Sequence, residues 1–454
     1  MNSRKLQFNI GFISEYLLAF IIFVCLIYVL WWAWVFGYLP QPFFYQPDDT
    51  YMDWFNTAYW ARQAGAYDSW LTIYPPISFV ALRLMGLDRC YVDPNGPELR
   101  DCDWVGLVAI HVIFLLNIFL LARTYAKIDK KTALARSFAL GAGLPMLYAV
   151  ERGNLLILCF TCVVLGFGPL LKSARLRWLF VGLAVNFKVY LVAILAAQLI
   201  RRRWFWFEGA VVATVLVYAA SYGIYGAGSP LEIYSNIVSF SSGYISAQVT
   251  DLWYSITYIP FISLLEGQSF PVTGIVGSAR AEMGLLILPL LIKAGQLSIV
   301  FAAIAAWLRP EVVPVHRLSF LAVTLALISS EAGGYSQIIV IFFVFMERWK
   351  GVLRPSAIIL AYILCIPSDI IIGSLPTAVM DSYLAGGRVE VKFGVGLGMF
   401  LRPGILILIG MALSAETIYR VYLDIGRQGW RSRWRYRRDL PILPGVISPT
   451  NKNK

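Results

Sequence analysis

The chain has 454 residues, 59% hydrophobic and only 14% charged, with a mean hydropathy of +0.68. Soluble domains carry about 25% charged residues, so these figures exclude an ordinary soluble domain and indicate an integral membrane protein built as one multi-span unit. The net charge of +12 does not point to nucleic acid, because Lys and Arg fall mostly in short clusters between apolar runs, where they set topology.

Arg4 and Lys5 precede an apolar run from about Tyr16 to Tyr38. The run is too long for a signal-peptide core and no small-residue cleavage site follows it, so it reads as a retained first helix leaving the cytoplasm. Residues 39–103 are then external. They hold Asp48, Asp49 and Asp53, an amphipathic aromatic-rich stretch, the rigid Tyr74-Pro75-Pro76 turn, a short apolar helix and the loop CYVDPNGPELRDC. Outside the cytoplasm, Cys90 and Cys102 at the ends of that loop are expected to form a disulfide, contributing roughly 3 kcal/mol. Cys25, Cys159, Cys162 and Cys365 lie in apolar runs and read as packing residues.

The chain returns over about Trp104–Leu121 and reaches the basic cluster RTYAKIDKK, which belongs inside. Two spans, about Ala133–Val150 and Leu155–Leu171, meet at Glu151-Arg152-Gly153-Asn154, on the same outer side as the aspartates. The basic stretches KSARLR and Arg201-Arg202-Arg203 lie only about 24 residues apart, whereas two full crossings need about 40. A re-entrant pair of half-helices with Asn186-Phe187-Lys188 at its apex satisfies both constraints and implies a protein-enclosed cavity. The alternative is one tilted span with the sidedness rule broken once.

A span over about Trp204–Tyr225 leads to a second external segment, residues 226–283, rich in Ser, Gly and aromatics. Then come a return span (Gly284–Trp307), an apolar pair broken at Ser330–Tyr335, a span near Pro355–Ile372, the external loop DSYLAGGRVEVK and a last span to about Ser414. Residues 416–454 form a basic tail interleaved with Trp and Tyr, expected to lie on anionic membrane lipid at roughly 1 kcal/mol per basic residue. The expected fold is an all-α polytopic bundle of about twelve transmembrane helices over residues 1–415, with both termini cytoplasmic.

Charges at or in a bilayer are costly and point to function. This topology places Asp48, Asp49, Asp53, Glu151, Arg152, Lys188, Asp251, Glu331, Arg388, Lys392 and Arg402 on the outer side. A carboxylate can deprotonate an acceptor hydroxyl, and a cation can neutralise a phosphate leaving group; transfer from a phosphate-linked donor needs both. Asp49 and Asp53, at i and i+4, share a helix face. That pairing suits a base of raised pKa and equally suits oxygen ligation of a divalent cation. Each residue also has a structural reading: a solvated loop for the aspartates, an ion pair for Glu151 and Arg152, snorkelling for Lys188, a helix-end contact for Glu331. His111 and His316 fall on opposite sides, which leaves no histidine cluster or triad, and no Gly-rich nucleotide loop is present.

Asp49 to Asp53, Gly65-Ala66-Tyr67, Tyr74-Pro75-Pro76, Glu151-Arg152-Gly153-Asn154 and Lys188-Val189-Tyr190 together resemble the GT-C membrane glycosyltransferases. The nearest likeness is to the bacterial polyprenyl-phosphate-sugar-dependent family that includes the phosphatidylinositol-mannoside mannosyltransferase. The likeness covers roughly the first half of the chain. It implies an inner-membrane enzyme that moves a sugar from a polyprenyl-phosphate donor to a lipid-linked or cell-envelope glycan acceptor on the periplasmic face, with inversion. Carried over, Asp49 or Asp53 is the general base, and Lys188, Arg152 and Arg402 are donor-phosphate contacts. Asp48, Tyr74, Pro75, Glu151, Asn154, Tyr190, Asp251, Glu331 and Tyr335 line the substrate site. Two rival classes are a lipid-linked-glycan polymerase or ligase, which carries a large late external loop, and a lipid or sugar transporter, whose charges lie at the bilayer midplane.

Overall fold

The computed structural model describes residues 3–43, 46–92, 96–243, 255–267, 274, 277–330, 332–374 and 376–430. The protein is mostly helical and membrane-embedded in character: among the described residues, six helical stretches, one of them the consecutive pair over Ala133–Glu151, are long and apolar enough to cross a bilayer, and five shorter apolar helices accompany them.

The first helix, α1 (Ser3–Phe36), shows why these segments are membrane helices. Its exposed residues Ile13, Leu17, Phe20, Val24, Ile27, Trp31 and Trp34 recur at three- and four-residue steps, a continuous apolar stripe along one face. The buried face carries Glu15, Ile22 and Val29. Glu15 and Gly37 are separated by 22 helical steps, or about 33 Å, so α1 defines two ends of the molecule.

At the Glu15 end, charges are buried in pairs. Arg136, 2% exposed, donates Nε and Nη2 to the two Glu15 oxygens at 2.7 and 2.6 Å, and the Tyr362 hydroxyl donates to the same carboxylate at 3.0 Å. Arg317 forms a two-pronged pair with Glu347 at 2.7 and 2.6 Å, and Arg354 faces Glu416 at 3.0 Å. A buried ion pair with one member deleted leaves an uncompensated charge in a medium that cannot solvate it.

Several elements differ from the sequence expectation. The run 133–150 is two helices, Ala133–Gly141 and Leu144–Glu151, because Gly143 lies so close to Ala139 and Cys365 that no Cβ fits and Pro145 follows in the next turn. The next helix stops at Phe167, not at about Leu171, and the helix begun at Leu353 stops at Leu364. Beyond it the expected span and loop contain two short antiparallel ladders. Ile371–Ser374 pairs with Gly394–Gly396, and Ala378–Ser382 pairs with Gly387–Val391 around a turn ending at Gly386, φ +63°. An all-helical description therefore needs this small β element added. The last helix, Gly398–Gln428, runs unbroken through the expected boundary at 415/416. The basic cluster after Trp430 lies outside the described residues.

The segment 174–200 has the expected break. Helix Ala174–Phe187 ends at Lys188, whose backbone is extended (φ −139°, ψ 104°), and the chain continues as a 3-10 turn, Val189–Ile194, and a short helix, Leu195–Ile200. Neither half can span a bilayer.

Replacing Glu15 by Gln is expected to cost about 3–5 kcal/mol by leaving Arg136 buried without its counter-charge. The apolar double variant Glu15→Met, Arg136→Met is expected to recover most of that loss. Thermal unfolding in detergent reads both; an unchanged midpoint in Glu15→Gln contradicts the frame described here.

Candidate active site

At the opposite end, the carboxylate segment folds onto the Glu151–Asn154 corner. The Tyr51 N–H donates to Glu151 O at 2.7 Å and the Asp53 N–H to Arg152 O at 3.0 Å. Tyr51 is left-handed (φ 67°) and starts the amphipathic helix Met52–Trp60, whose Trp54, Phe55 and Ala58 are fully buried. Gly153 lies under this turn at φ +61°, and a Cβ there would meet Tyr51 O at 2.9 Å and Trp54 Cβ at 3.0 Å. Only glycine allows both the conformation and the approach.

This docking places the Arg152 guanidinium between two aspartates. Nη1 donates to Asp49 Oδ2 and Nη2 to Asp53 Oδ1, each at 2.6 Å. Asn154, 1% exposed, donates Nδ2 to Asp53 Oδ2 at 2.7 Å. Both Asp53 oxygens are thus engaged. Asp49 uses one, and no donor among the described residues reaches its Oδ1. Burial pushes the Asp49 carboxyl up, Arg152 draws it down, and Asp53 and Asp48 push it up again; the net direction is upward. Glu151, 7% exposed, lies beside the group with Oε2 unbonded among the described residues.

The Tyr74-Pro75-Pro76 turn closes the next side. Pro75 is extended and Pro76 opens helix Pro76–Leu84, where its missing N–H costs nothing. The Tyr67 hydroxyl donates to Tyr74 O at 2.8 Å, so the Gly65-Ala66-Tyr67 element fixes this turn from behind. The Tyr74 side chain shares a hydrogen bond with Asn154 and faces the Asp53 charge. Lys188 Nζ donates weakly to Tyr74 Oη at 3.4 Å and lies 4.7 Å from the Tyr74 ring centroid and 5.7 Å from that of Tyr335. No carboxylate among the described residues pairs with it. Tyr190 donates to Ser336 Oγ at 3.3 Å and completes this wall.

Asp49, Asp53, Glu151, Arg152, Asn154, Tyr74, Pro75, Lys188, Tyr190 and Tyr335 therefore form one neighbourhood. Asp48 points away: Arg100, 2% exposed, donates to Asp48 O at 2.6 Å, Asp48 Oδ1 at 3.3 Å and Thr50 O at 3.2 Å, and lies 4.0 Å from the Tyr383 ring centroid. Arg402 is committed to Asp369 at 3.2 Å. Asp251 and Glu331 lie outside the described residues. Cys90 and Cys102 are disulfide-bonded, which closes the loop that carries Arg100. Arg100, Tyr51 and Tyr383 were not singled out in sequence; an arginine two residues before a loop-closing cysteine was the one available hint.

Among the described residues, no group of three or more His, Cys, Asp or Glu side chains is placed to hold a metal ion. Comparisons with protein-family models, curated proteins and solved structures each gave no match.

Gly153→Ala is expected to destabilise the protein by at least about 1 kcal/mol more than Gly351→Ala. Gly351 also has positive φ but no atom within 4 Å of an added Cβ. Equal unfolding midpoints for the two variants would remove the packing argument for this corner.

Proposed function

We propose that the protein is a membrane glycosyltransferase that moves a sugar from a polyprenyl-phosphate donor to a lipid-linked or cell-envelope acceptor. One observation supports the reading: a partly buried carboxylate, Asp49, whose Oδ1 meets no donor among the described residues, shares a neighbourhood with an ammonium, Lys188, that pairs with no carboxylate among them. Asp49 accepts the proton of the acceptor hydroxyl as that oxygen attacks the anomeric carbon. The bond to the donor phosphate oxygen breaks on the opposite face, and Lys188 holds the departing polyprenyl phosphate. In-line displacement inverts the anomeric centre.

Asp53 and Asn154 are positioning residues on this reading. They hold Arg152, and Arg152 orients Asp49, so Arg152 acts on the donor only through the field it adds. The fold is read as a GT-C-type bundle of about twelve crossings in a bacterial inner membrane, with this site on the periplasmic face.

The test is transfer in proteoliposomes from a panel of polyprenyl-phosphate sugars to native lipid extract. Lys188→Met is expected to raise the donor KM at least tenfold, the loss of one charge-assisted contact worth about 1.5–3 kcal/mol. Because Asp49 must be ionised to act and its pKa is raised, kcat/KM should fall on the acid side at a pH above the usual carboxylate value of about 4. Absence of transfer from every donor, or a Lys188→Met variant with wild-type donor KM, would contradict the proposal.

A further inference from the structure

A cavity of about 250 Å³, lined by none of the candidate-site residues, lies at the C-terminal end of α1, with Tyr28, Trp32, Tyr38, Phe43, Asp369 and Lys392 among its lining. Its surroundings are apolar and exposed. Trp31 and Trp34 stand out from α1, 52% and 89% exposed, and Ile370, Ile371 and Ile372 form another exposed apolar group by the cavity, with Ile371 in its lining. A molecule reaching it along these surfaces is one already held by the bilayer.

The charges in the lining are unequal. Asp369 is spent: Oδ1 accepts from Ile370 N at 2.9 Å and Gly398 N at 2.7 Å, and Oδ2 faces Arg402 at 3.2 Å. Lys392 is not. Its ammonium lies 5.4 Å from the Phe36 ring centroid, and no acidic side chain among the described residues forms an ion pair with it. The aromatic cavity thus has one exposed cation in its lining with no counter-ion among the described residues.

The back wall joins this cavity to the site described above. Phe43 packs with Val29, Leu144 and Tyr148, and Tyr335 packs against the same cluster. The Tyr148 and Tyr335 ring centroids are 5.7 Å apart, and Tyr335 is a ring against which Lys188 rests. One aromatic wall therefore separates two lysines that pair with no carboxylate among the described residues.

We propose that this cavity binds the net-anionic, phosphate-bearing head group of a second bilayer lipid, with Lys392 on the phosphate, and that this lipid is the acceptor. The acceptor role rests on the glycosyltransferase reading; the lipid site does not. A lysine facing an anionic lipid gains from both the surface field and the direct contact.

The experiment is lipid retention by native mass spectrometry, with the full-length protein in micelles containing equal phosphatidylglycerol and phosphatidylcholine. Wild type should retain phosphatidylglycerol preferentially. Lys392→Ala should lower that retention about tenfold and Lys392→Arg should preserve it. Ser374→Trp, which fills the cavity and leaves Lys392 in place, should lower it as well. Arg388→Ala, exposed on the same hairpin and outside the lining, should change nothing. Equal losses in Arg388→Ala and Lys392→Ala mean diffuse surface attraction only and overturn the proposal. Loss of added polyprenyl phosphate, with phosphatidylglycerol kept, overturns it too, by giving the cavity to the donor. If no sugar transfer is ever found while the retention pattern holds, the lipid site stands and the glycosyltransferase reading falls.

Discussion

A guanidinium between two carboxylates holds this end of the protein together. Arg152 is 8% exposed, and an arginine so buried persists only where charge and hydrogen bonds replace water. Asp49 and Asp53 supply them from a segment about a hundred residues earlier in the chain. The pairing is asymmetric, and the asymmetry has a chemical consequence. Asp53 accepts from Arg152 and Asn154 on its two oxygens, while no donor among the described residues reaches the second oxygen of Asp49. The arginine that fixes the loop also leaves one carboxylate available and in defined orientation.

The rest of the molecule can be read as support for that geometry. At the far end of α1, the pairs Glu15–Arg136 and Glu347–Arg317 lock helices together through buried charge. Near the site, Arg100 clamps Asp48 and Thr50 from a loop closed by the Cys90–Cys102 disulfide, and Tyr383 N–H donates to Pro47 O at 3.3 Å. The carboxylate loop is therefore held on both flanks. Lys188 is presented differently, by a helix that stops short, and among the described residues it rests on two tyrosine rings and pairs with no carboxylate. Cation–π contact of this kind holds an ammonium without neutralising it.

Much of the site was legible in the chain because its motifs carry backbone constraints. The Glu151-Arg152-Gly153-Asn154 corner was legible because it joins two apolar runs, and Tyr74-Pro75-Pro76 because proline makes a rigid turn that can open a helix. The break at Lys188 followed from counting residues between basic clusters. What stayed hidden depends on contacts distant in sequence. Nothing local shows that Arg402 pairs with Asp369 or that Arg100 reaches back to Asp48. The β ladders at residues 371–396 were masked by isoleucines that read equally well as the end of a span, a short apolar run being ambiguous between helix and strand. The helix break at Gly143 depends on the close approach of Cys365, which no periodicity encodes.

The most direct test of the account separates donor binding from transfer in two carboxylate variants. In Asp49→Asn, the asymmetry predicts donor retained near wild-type affinity and transfer lowered by about 10²–10⁴. In Asp53→Asn, loss of the Arg152 clamp should lower transfer and the unfolding temperature together. An Asp49→Asn protein that folds, binds donor and transfers sugar at the wild-type rate would contradict the assignment of the free carboxylate oxygen as the base.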